Sequence, residues 1–150
     1  MLTFIGDFGC RADAKGRIVM PAAFKKAVGQ DDVRFVVRKH IFEKCIVIYP
    51  YSHWEEELVR LRKKLNPYNR KHDSFLRNFF KASAEIILDG NGRFLIPHRL
   101  MEQINGDREF VLVGVDRKIE LWAKEAYDSM PDDSDAFADS AENILGLDIE

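Results

Sequence analysis

The chain has 150 residues, of which 46% are hydrophobic and 32% charged, and its formal net charge is −2 at pH 7. This composition is ordinary for a folded protein and excludes a chain that is disordered along most of its length. No apolar run approaches the roughly 18 residues that a spanning helix needs, and the N-terminus lacks a basic segment followed by an apolar one. We therefore expect a cytoplasmic protein with no membrane partner.

The charge is distributed unevenly along the chain. Of the 25 acidic residues, 7 lie in residues 131–150, where there is no lysine or arginine. The first 130 residues hold the other 18 acidic residues against all 23 basic ones, which is a net charge of +5. A mildly basic body permits a nucleic-acid partner without requiring one.

The first informative element is one copy of an internal repeat. Asp13-Ala-Lys-Gly-Arg17-Ile-Val-Met-Pro21 returns 76 residues later as Asp89-Gly-Asn-Gly-Arg93-Phe-Leu-Ile-Pro97. Each Asp-x-x-Gly step predicts a tight turn, because aspartate binds nearby backbone N–H groups and glycine adopts positive φ. The three apolar residues that follow predict a short buried strand, and each proline fits the first turn of a short helix.

The strands after each proline repeat as well. Residues 35–37 correspond to residues 111–113, and residues 46–49 correspond to residues 119–122. Each copy is therefore predicted to run strand, turn, strand, short helix, strand, strand. One unit of this size could bury little core, whereas two interleaved units could build one barrel-like core.

A helical element separates the two copies. Ser52-x-x-Glu55 has the pattern of a capping box, and apolar residues follow at helical spacing until Pro67 ends the helix. A second helix is predicted to begin near Tyr68 or Asp73. We interpret the pair as a helical hairpin whose apolar sides pack on the barrel or on a neighbouring subunit.

These elements predict an α+β fold in four segments. The segments are a first repeat (4–51), a helical hairpin (52–81), a second repeat (82–128) and an acidic C-terminal tail (129–150). The tail has few apolar residues, so we expect no more than one short helix in it.

The two Asp-x-x-Gly-Arg loops are the candidate binding site. Arg17 and Arg93 can contact guanine edges or phosphates in a bidentate manner, and Lys15 adds a charge for phosphate. Asn91 stands where Lys15 falls in the first copy and can hydrogen-bond a base or the backbone. The residues expected to shape the loops are Asp13, Gly16, Asp89 and Gly92. The alternative interpretation is that each arginine only pairs with its own aspartate and holds the turn.

A second basic cluster lies in or near the predicted hairpin. Its members are Arg60, Arg62, Lys63, Lys64, Arg70, Lys71, Arg77 and Lys81. It could contact a DNA backbone or another subunit, but such charge runs are usually solvated helical faces. We favour the solvated face, with pairing to the acidic residues at 55–57.

Nothing in the sequence indicates an enzyme. Asp13 and Asp89 are the symmetry-related carboxylates of the two loops, and turn chemistry already accounts for both. The loops lack the glycine spacing and following lysine of a phosphate-binding loop. The two cysteines are expected to be free thiols, and neither they nor the four histidines have metal-ligand spacing. We predict no catalytic residues, no metal, no cofactor and no small-molecule substrate.

The doubled Asp-x-x-Gly-Arg pattern with a helical insert resembles the MraZ family of bacterial regulators. The resemblance covers roughly residues 1–130 and includes Trp54 after the first copy and Trp122 at the end of the second. Each copy resembles the AbrB-like swapped-hairpin domain. The resemblance implies that the two tandem repeats form one pseudo-symmetric swapped-hairpin β-barrel, and that subunits assemble into a homo-oligomeric ring.

The same resemblance implies a function. The family binds short direct repeats in double-stranded promoter DNA upstream of its own operon, the division and cell-wall gene cluster, and represses or tunes transcription there. A nucleoid-associated autorepressor is therefore expected. By the resemblance, Lys15, Arg17 and Arg93 are DNA-contacting positions, and Asn91 departs from a basic loop, so the first loop should contribute more. The alternative is a protein-interaction or antitoxin-like module without catalytic activity.

Overall fold

The order of elements follows the repeat in a computed structural model that describes residues 2–29 and 32–146. The first repeat comprises β1 (Phe4–Arg11), β2 (Ile18–Val19), α1 (Ala22–Val28), β3 (Arg34–Lys39) and β4 (Ile46–Pro50). The hairpin comprises α2 (Tyr51–Lys64) and α3 (Arg70–Lys81). The second repeat comprises β5 (Ser83–Ile87), β6 (Arg93–Phe94), α4 (His98–Met101) with a 3-10 turn (Glu102–Ile104), β7 (Glu109–Asp116) and β8 (Lys118–Ala123). The predicted sequence of elements in each copy is confirmed.

Strands of the two repeats interleave in one large antiparallel sheet. Its six strands lie in the order β1-β7-β8-β4-β3-β5. The first strand of each repeat pairs with the third strand of the other, β1 with β7 and β5 with β3, and β4 pairs with β8. The second strands, β2 and β6, pair only with each other as a short ribbon. Neither repeat therefore has a complete sheet without the other.

The predicted closed barrel is not confirmed. Within the described residues, hydrogen bonding leaves β1 and β5 at the two ends of an open sheet, with the β2-β6 ribbon as a separate element. The ribbon strands are two residues long because a tight turn precedes each of them and a proline follows. Since proline cannot donate to a ladder and begins a helix, the ribbon strands end before they can extend either edge of the sheet.

The main core lies between one face of the sheet and the ribbon. Ile18 and Phe94 pair across the ribbon, and each is 1% exposed. Phe24 of α1 packs edge-on against Phe4 and Phe8 of β1, with 5.4 and 5.0 Å between ring centroids. These contacts hold the ribbon and α1 to the sheet.

The helical hairpin packs on the opposite face of the sheet. Side chains alternate between faces along a strand, so Val36, Val47 and Tyr49 point away from the main core. They form a second cluster with Trp54, whose ring stacks on Phe79 at 5.6 Å between centroids. The predicted packing of the hairpin against the β-structure is confirmed, and it places the hairpin on the side away from the ribbon.

The predicted starts of both hairpin helices are corrected by the structure. α2 starts directly after Pro50, no side chain caps it, and Ser52 lies inside the helix, so the capping box is wrong. Proline fixes φ near a helical value, which lets β4 lead straight into α2. α3 begins at Arg70, because the Asn69 side chain accepts hydrogen bonds from the backbone N–H groups of the first turn.

The C-terminal segment adds two helices, α5 (Lys124–Asp128) and α6 (Ser134–Leu145). α6 buries none of its residues, and Phe137 and Ile144 are 77% and 79% exposed. The helix in the acidic tail, α6, is 12 residues long and therefore not the short helix that was expected there, and residues 147–150 lie outside the described residues. In the described part of the chain, no helix combines the length and apolar character needed to cross a membrane.

Candidate nucleic-acid interface

The outer face of the β2-β6 ribbon brings the two predicted arginines together. Ile18 and Phe94 point into the core, so the residues on either side of them along each strand face outward. The outward residues are Arg17, Val19, Arg93 and Leu95. The two aliphatic residues of this set are 53% and 55% exposed, and the two arginine side chains are 31% and 27% exposed.

The aspartate closes the first loop as the sequence predicts. Asp13 Oδ1 accepts hydrogen bonds from the backbone N–H groups of Lys15 and Arg17, each at 2.9 Å. The backbone carbonyl of Asp13 also accepts a hydrogen bond from Gly16 N–H at 2.9 Å. Gly16 adopts a φ of +85°, which residues other than glycine rarely adopt. Lys15 lies exposed at the tip of this loop.

The second loop has the same backbone geometry. Asp89 Oδ1 accepts hydrogen bonds from the backbone N–H groups of Asn91 and Arg93, each at 2.9 Å. Gly92 adopts a φ of +73°. Asn91 is exposed at the tip of this loop.

The arginine–aspartate pairs of the alternative interpretation are present. Arg17 Nε donates to Asp13 Oδ2 at 2.8 Å, and Arg93 Nε donates to Asp89 Oδ2 at 2.9 Å. Arg93 Nη1 also lies 3.8 Å from Asp13 Oδ2, so the two guanidinium groups are neighbours across the ribbon. Within the described residues, no hydrogen bond engages Nη1 or Nη2 of Arg17. Holding the turn through Nε therefore leaves its terminal nitrogens for a bidentate contact.

The loop carboxylates should titrate at unusually low pH. The pKa of Asp13 lies below its ordinary value of 3.8, first because the carboxylate accepts a hydrogen bond from the backbone N–H of Arg17. The pKa of Asp89 is lowered in the same way by the backbone N–H of Arg93. A lowered folded-state pKa stabilises the fold above the unfolded-state value, and this contribution is lost as pH falls through the folded-state pKa. We expect carbon-detected NMR titration to give both carboxyl pKa values below 3.8.

Asp13→Asn and Asp89→Asn variants assign the two signals in that titration. Arg17→Ala should leave much of the Asp13 shift, because the backbone N–H contributes most. A pKa of Asp13 at or above 3.8 would contradict the loop geometry.

The second basic cluster lies on exposed helical faces of the hairpin. Arg60 pairs with Glu57, and Arg77 Nη2 lies 2.6 Å from Asp73 Oδ2. The side chains of the two arginines are 57% and 68% exposed. These pairs agree with the solvated-face interpretation, and the hairpin lies on the opposite side of the sheet from the loops.

The fold also gathers three potential metal ligands that sequence spacing did not predict, His40, Cys45 and Glu120. His40 Nδ1 accepts hydrogen bonds from the backbone N–H groups of residues 42 and 43, at 3.1 and 3.0 Å. The ring proton therefore resides on Nε2, which lies 3.7 Å from Glu120 Oε2. Because a protonated nitrogen cannot bind a metal, this arrangement fits a polar contact and does not fit a metal centre.

Both cysteines are free thiols, as predicted. Burial raises the pKa of Cys10 to about 11 and that of Cys45 to about 12. Both remain protonated near neutral pH, so neither is an activated nucleophile.

Comparison with known proteins identifies the family. A sequence model described as "MraZ protein, putative antitoxin-like" matches the chain twice, over residues 3–78 and 79–147. The chain belongs to the MraZ family. The two matches adjoin, and each contains one copy of the loop-bearing repeat, so the predicted family resemblance is confirmed.

Relatives in the MraZ family match nearly the whole chain. "Transcriptional regulator MraZ" of Bacteroides fragilis is 39% identical over 147 residues, which cover 97% of this chain and 92% of the relative. The Bacteroides thetaiotaomicron protein of the same name is 40% identical over 148 residues, covering 97% and 94%. That of Desulforamulus reducens is 37% identical over 146 residues, covering 96% and 99%. These relatives are named as regulators and not as enzymes, in agreement with the prediction that the chain is not an enzyme.

Proposed function

We propose that this member of the MraZ family is a transcriptional regulator that binds double-stranded DNA through the outer face of the β2-β6 ribbon. The observation that carries the proposal is the pair of arginines, Arg17 and Arg93, side by side on that face. Each is oriented through Nε by the aspartate of its own loop. The names of the relatives, all transcriptional regulators, support the same role.

The ribbon carries the chemistry that sequence readout needs. A two-stranded β-ribbon can enter the major groove of B-form DNA, where an arginine fork matches O6 and N7 of guanine. Val19 and Leu95 flank the arginines with exposed aliphatic groups suited to thymine methyl groups. Asn91 can hydrogen-bond a base or the backbone, and Lys15 can contact a phosphate.

Specific affinity is proposed to come from several subunits acting together. One subunit would neutralise only a few phosphates, so one ribbon alone should bind weakly. A homo-oligomeric ring makes later contacts intramolecular, which can raise avidity by about 10²–10⁴. The family resemblance further supports short direct repeats as the DNA site, in the promoter of the division and cell-wall gene cluster. It also supports repression of transcription there, by a cytoplasmic protein associated with the nucleoid.

The four predicted segments take distinct roles in this proposal. The repeats (4–51 and 82–128) supply the ribbon and the sheet beneath it, and the hairpin (52–81) covers the far face of the sheet. The acidic tail (129–150) carries the opposite charge to the rest of the chain.

Selection of random duplex DNA by the purified protein at moderate salt tests the proposal. We expect enrichment of short, evenly spaced direct repeats, because neighbouring subunits read equivalent sites. The Arg17→Ala/Arg93→Ala double variant, as a matched control, should enrich none. If the unchanged protein enriches nothing and its binding simply disappears with added salt, it contacts only phosphates. The protein-interaction or antitoxin-like alternative would then replace the proposal.

A further inference from the structure

The charges on the outer face of the ribbon cancel. Arg17 and Arg93 are balanced by Asp13 and Asp89, to which they are paired. Attraction to a phosphate backbone therefore depends on positive charge beside the ribbon. The first loop carries Lys15, but the second loop has neutral residues at both positions between its aspartate and glycine.

A lysine from the first repeat lies against the second loop. A Cβ atom placed on Gly92 would lie 2.7 Å from Nζ of Lys25 in α1, and 3.3 Å from its Cδ and Cε atoms. Gly92 is buried, whereas its counterpart Gly16 in the first loop is exposed. The backbone N–H of Met20, just before α1, donates to the Gly92 carbonyl at 2.9 Å, which fixes the start of α1 to this loop.

Comparison of equivalent positions in the two repeats shows that the lysine near each end of the ribbon comes from a different element. The position equivalent to Lys25 in the second copy is Met101, and the position equivalent to Lys15 is Asn91. At the first loop the lysine is in the loop and the equivalent helix position is apolar. At the second loop the lysine is on the helix and the equivalent loop position is neutral. Each end of the ribbon therefore has one arginine and one lysine.

We propose that Lys25 is a DNA-binding residue that contacts a phosphate beside the second loop, in place of the lysine missing at Asn91. This inference rests on the proposed function. Lys25 is exposed, and among the described residues no carboxylate forms an ion pair with it. The end of its side chain, with Nζ nearest, lies over Gly92, so the charge is held beside the ribbon.

Exchange of the lysine between the two positions tests the inference. The variants are Lys25→Met, which copies the second repeat, and Lys25→Met/Asn91→Lys, which moves the charge into the loop. Lys63→Met removes the same charge from the far side of the sheet. Binding is measured by fluorescence anisotropy over a salt series, with one duplex carrying the enriched repeats and one of random sequence.

Lys25→Met should weaken binding to both duplexes by a similar factor, roughly 10-fold per engaged subunit near 0.1 M salt. The slope of log K against log salt should become shallower by about 1 per engaged subunit. The double variant should recover both the affinity and the slope, and Lys63→Met should match the unchanged protein. Thermal unfolding and size-exclusion chromatography should be unaltered, because the Lys25 side chain is exposed.

Each other outcome overturns the inference at an identifiable step. Unchanged binding by Lys25→Met, or equal weakening by Lys63→Met, shows that Lys25 has no particular contact. Weakening without rescue by the double variant shows that the two positions are not equivalent. If the unchanged protein binds neither duplex, the proposed function itself fails.

Discussion

Replacing Arg17 with alanine is expected to abolish sequence-specific DNA binding while the protein still folds and assembles. Arg17 has both terminal guanidinium nitrogens available for a base edge, and a bidentate contact of this kind contributes about 1–3 kcal/mol. Several subunits bound to one promoter lose this contact together, so affinity for the repeats should fall by at least about 100-fold. The turn should persist, because Asp13 still accepts the backbone N–H groups of residues 15 and 17.

The measurement compares a repeat duplex with a random duplex by fluorescence anisotropy. Arg17→Lys is the matched variant, since it keeps the charge but loses the planar fork, and it should bind both duplexes with similar weak affinity. Arg93→Ala should lower the affinity for the repeat duplex less than Arg17→Ala does, because Arg93 Nη1 already faces Asp13. Size-exclusion chromatography and circular dichroism check assembly and folding. Normal binding to the repeats by Arg17→Ala would disprove its assigned role.

Replacing Phe94 with alanine is expected to lower the free energy of unfolding by about 3–5 kcal/mol. The Phe94 side chain is 1% exposed and pairs with Ile18 where the ribbon meets the main core. Its removal leaves a cavity beneath the ribbon beside which the two arginines lie. Chemical denaturation measures the loss, and Leu95→Ala is the matched control because the Leu95 side chain is 55% exposed. The control should change stability by no more than about 0.5 kcal/mol.

The same substitution should also impair DNA binding, although no proposed DNA-contacting residue is altered. A ribbon that is loosely held cannot keep Arg17 and Arg93 in one fixed spacing, and misplacing them weakens simultaneous contacts. A Phe94→Ala protein that is as stable as the Leu95→Ala protein would contradict the packing described for the ribbon.

The sequence by itself determined the features that depend on neighbouring residues. The loop geometry follows from Asp13 and Gly16 within a few positions of each other, and the 76-residue repeat transfers it to Asp89 and Gly92. The order of strands and helices in each copy could be predicted because hydrophobic periodicity and proline act locally. The start of α2 was predicted wrongly because two local signals for a helix start lie close together. The helix begins directly after Pro50, and the Ser52 capping box does not form.

Only the tertiary structure decided which residues from distant parts of the chain meet. Strand patterns do not specify their partners, so the pairing of β1 with β7 and of β5 with β3, and the open sheet, could not be deduced from either repeat. The cluster of His40, Cys45 and Glu120 likewise joins the β3–β4 connection of the first repeat to β8 of the second. The position of Lys25 over Gly92 has the same origin, because it depends on how α1 of one repeat packs beside the loop of the other. Packing between the two repeats, which no local pattern encodes, thus places the positive charge of Lys25 at the second loop.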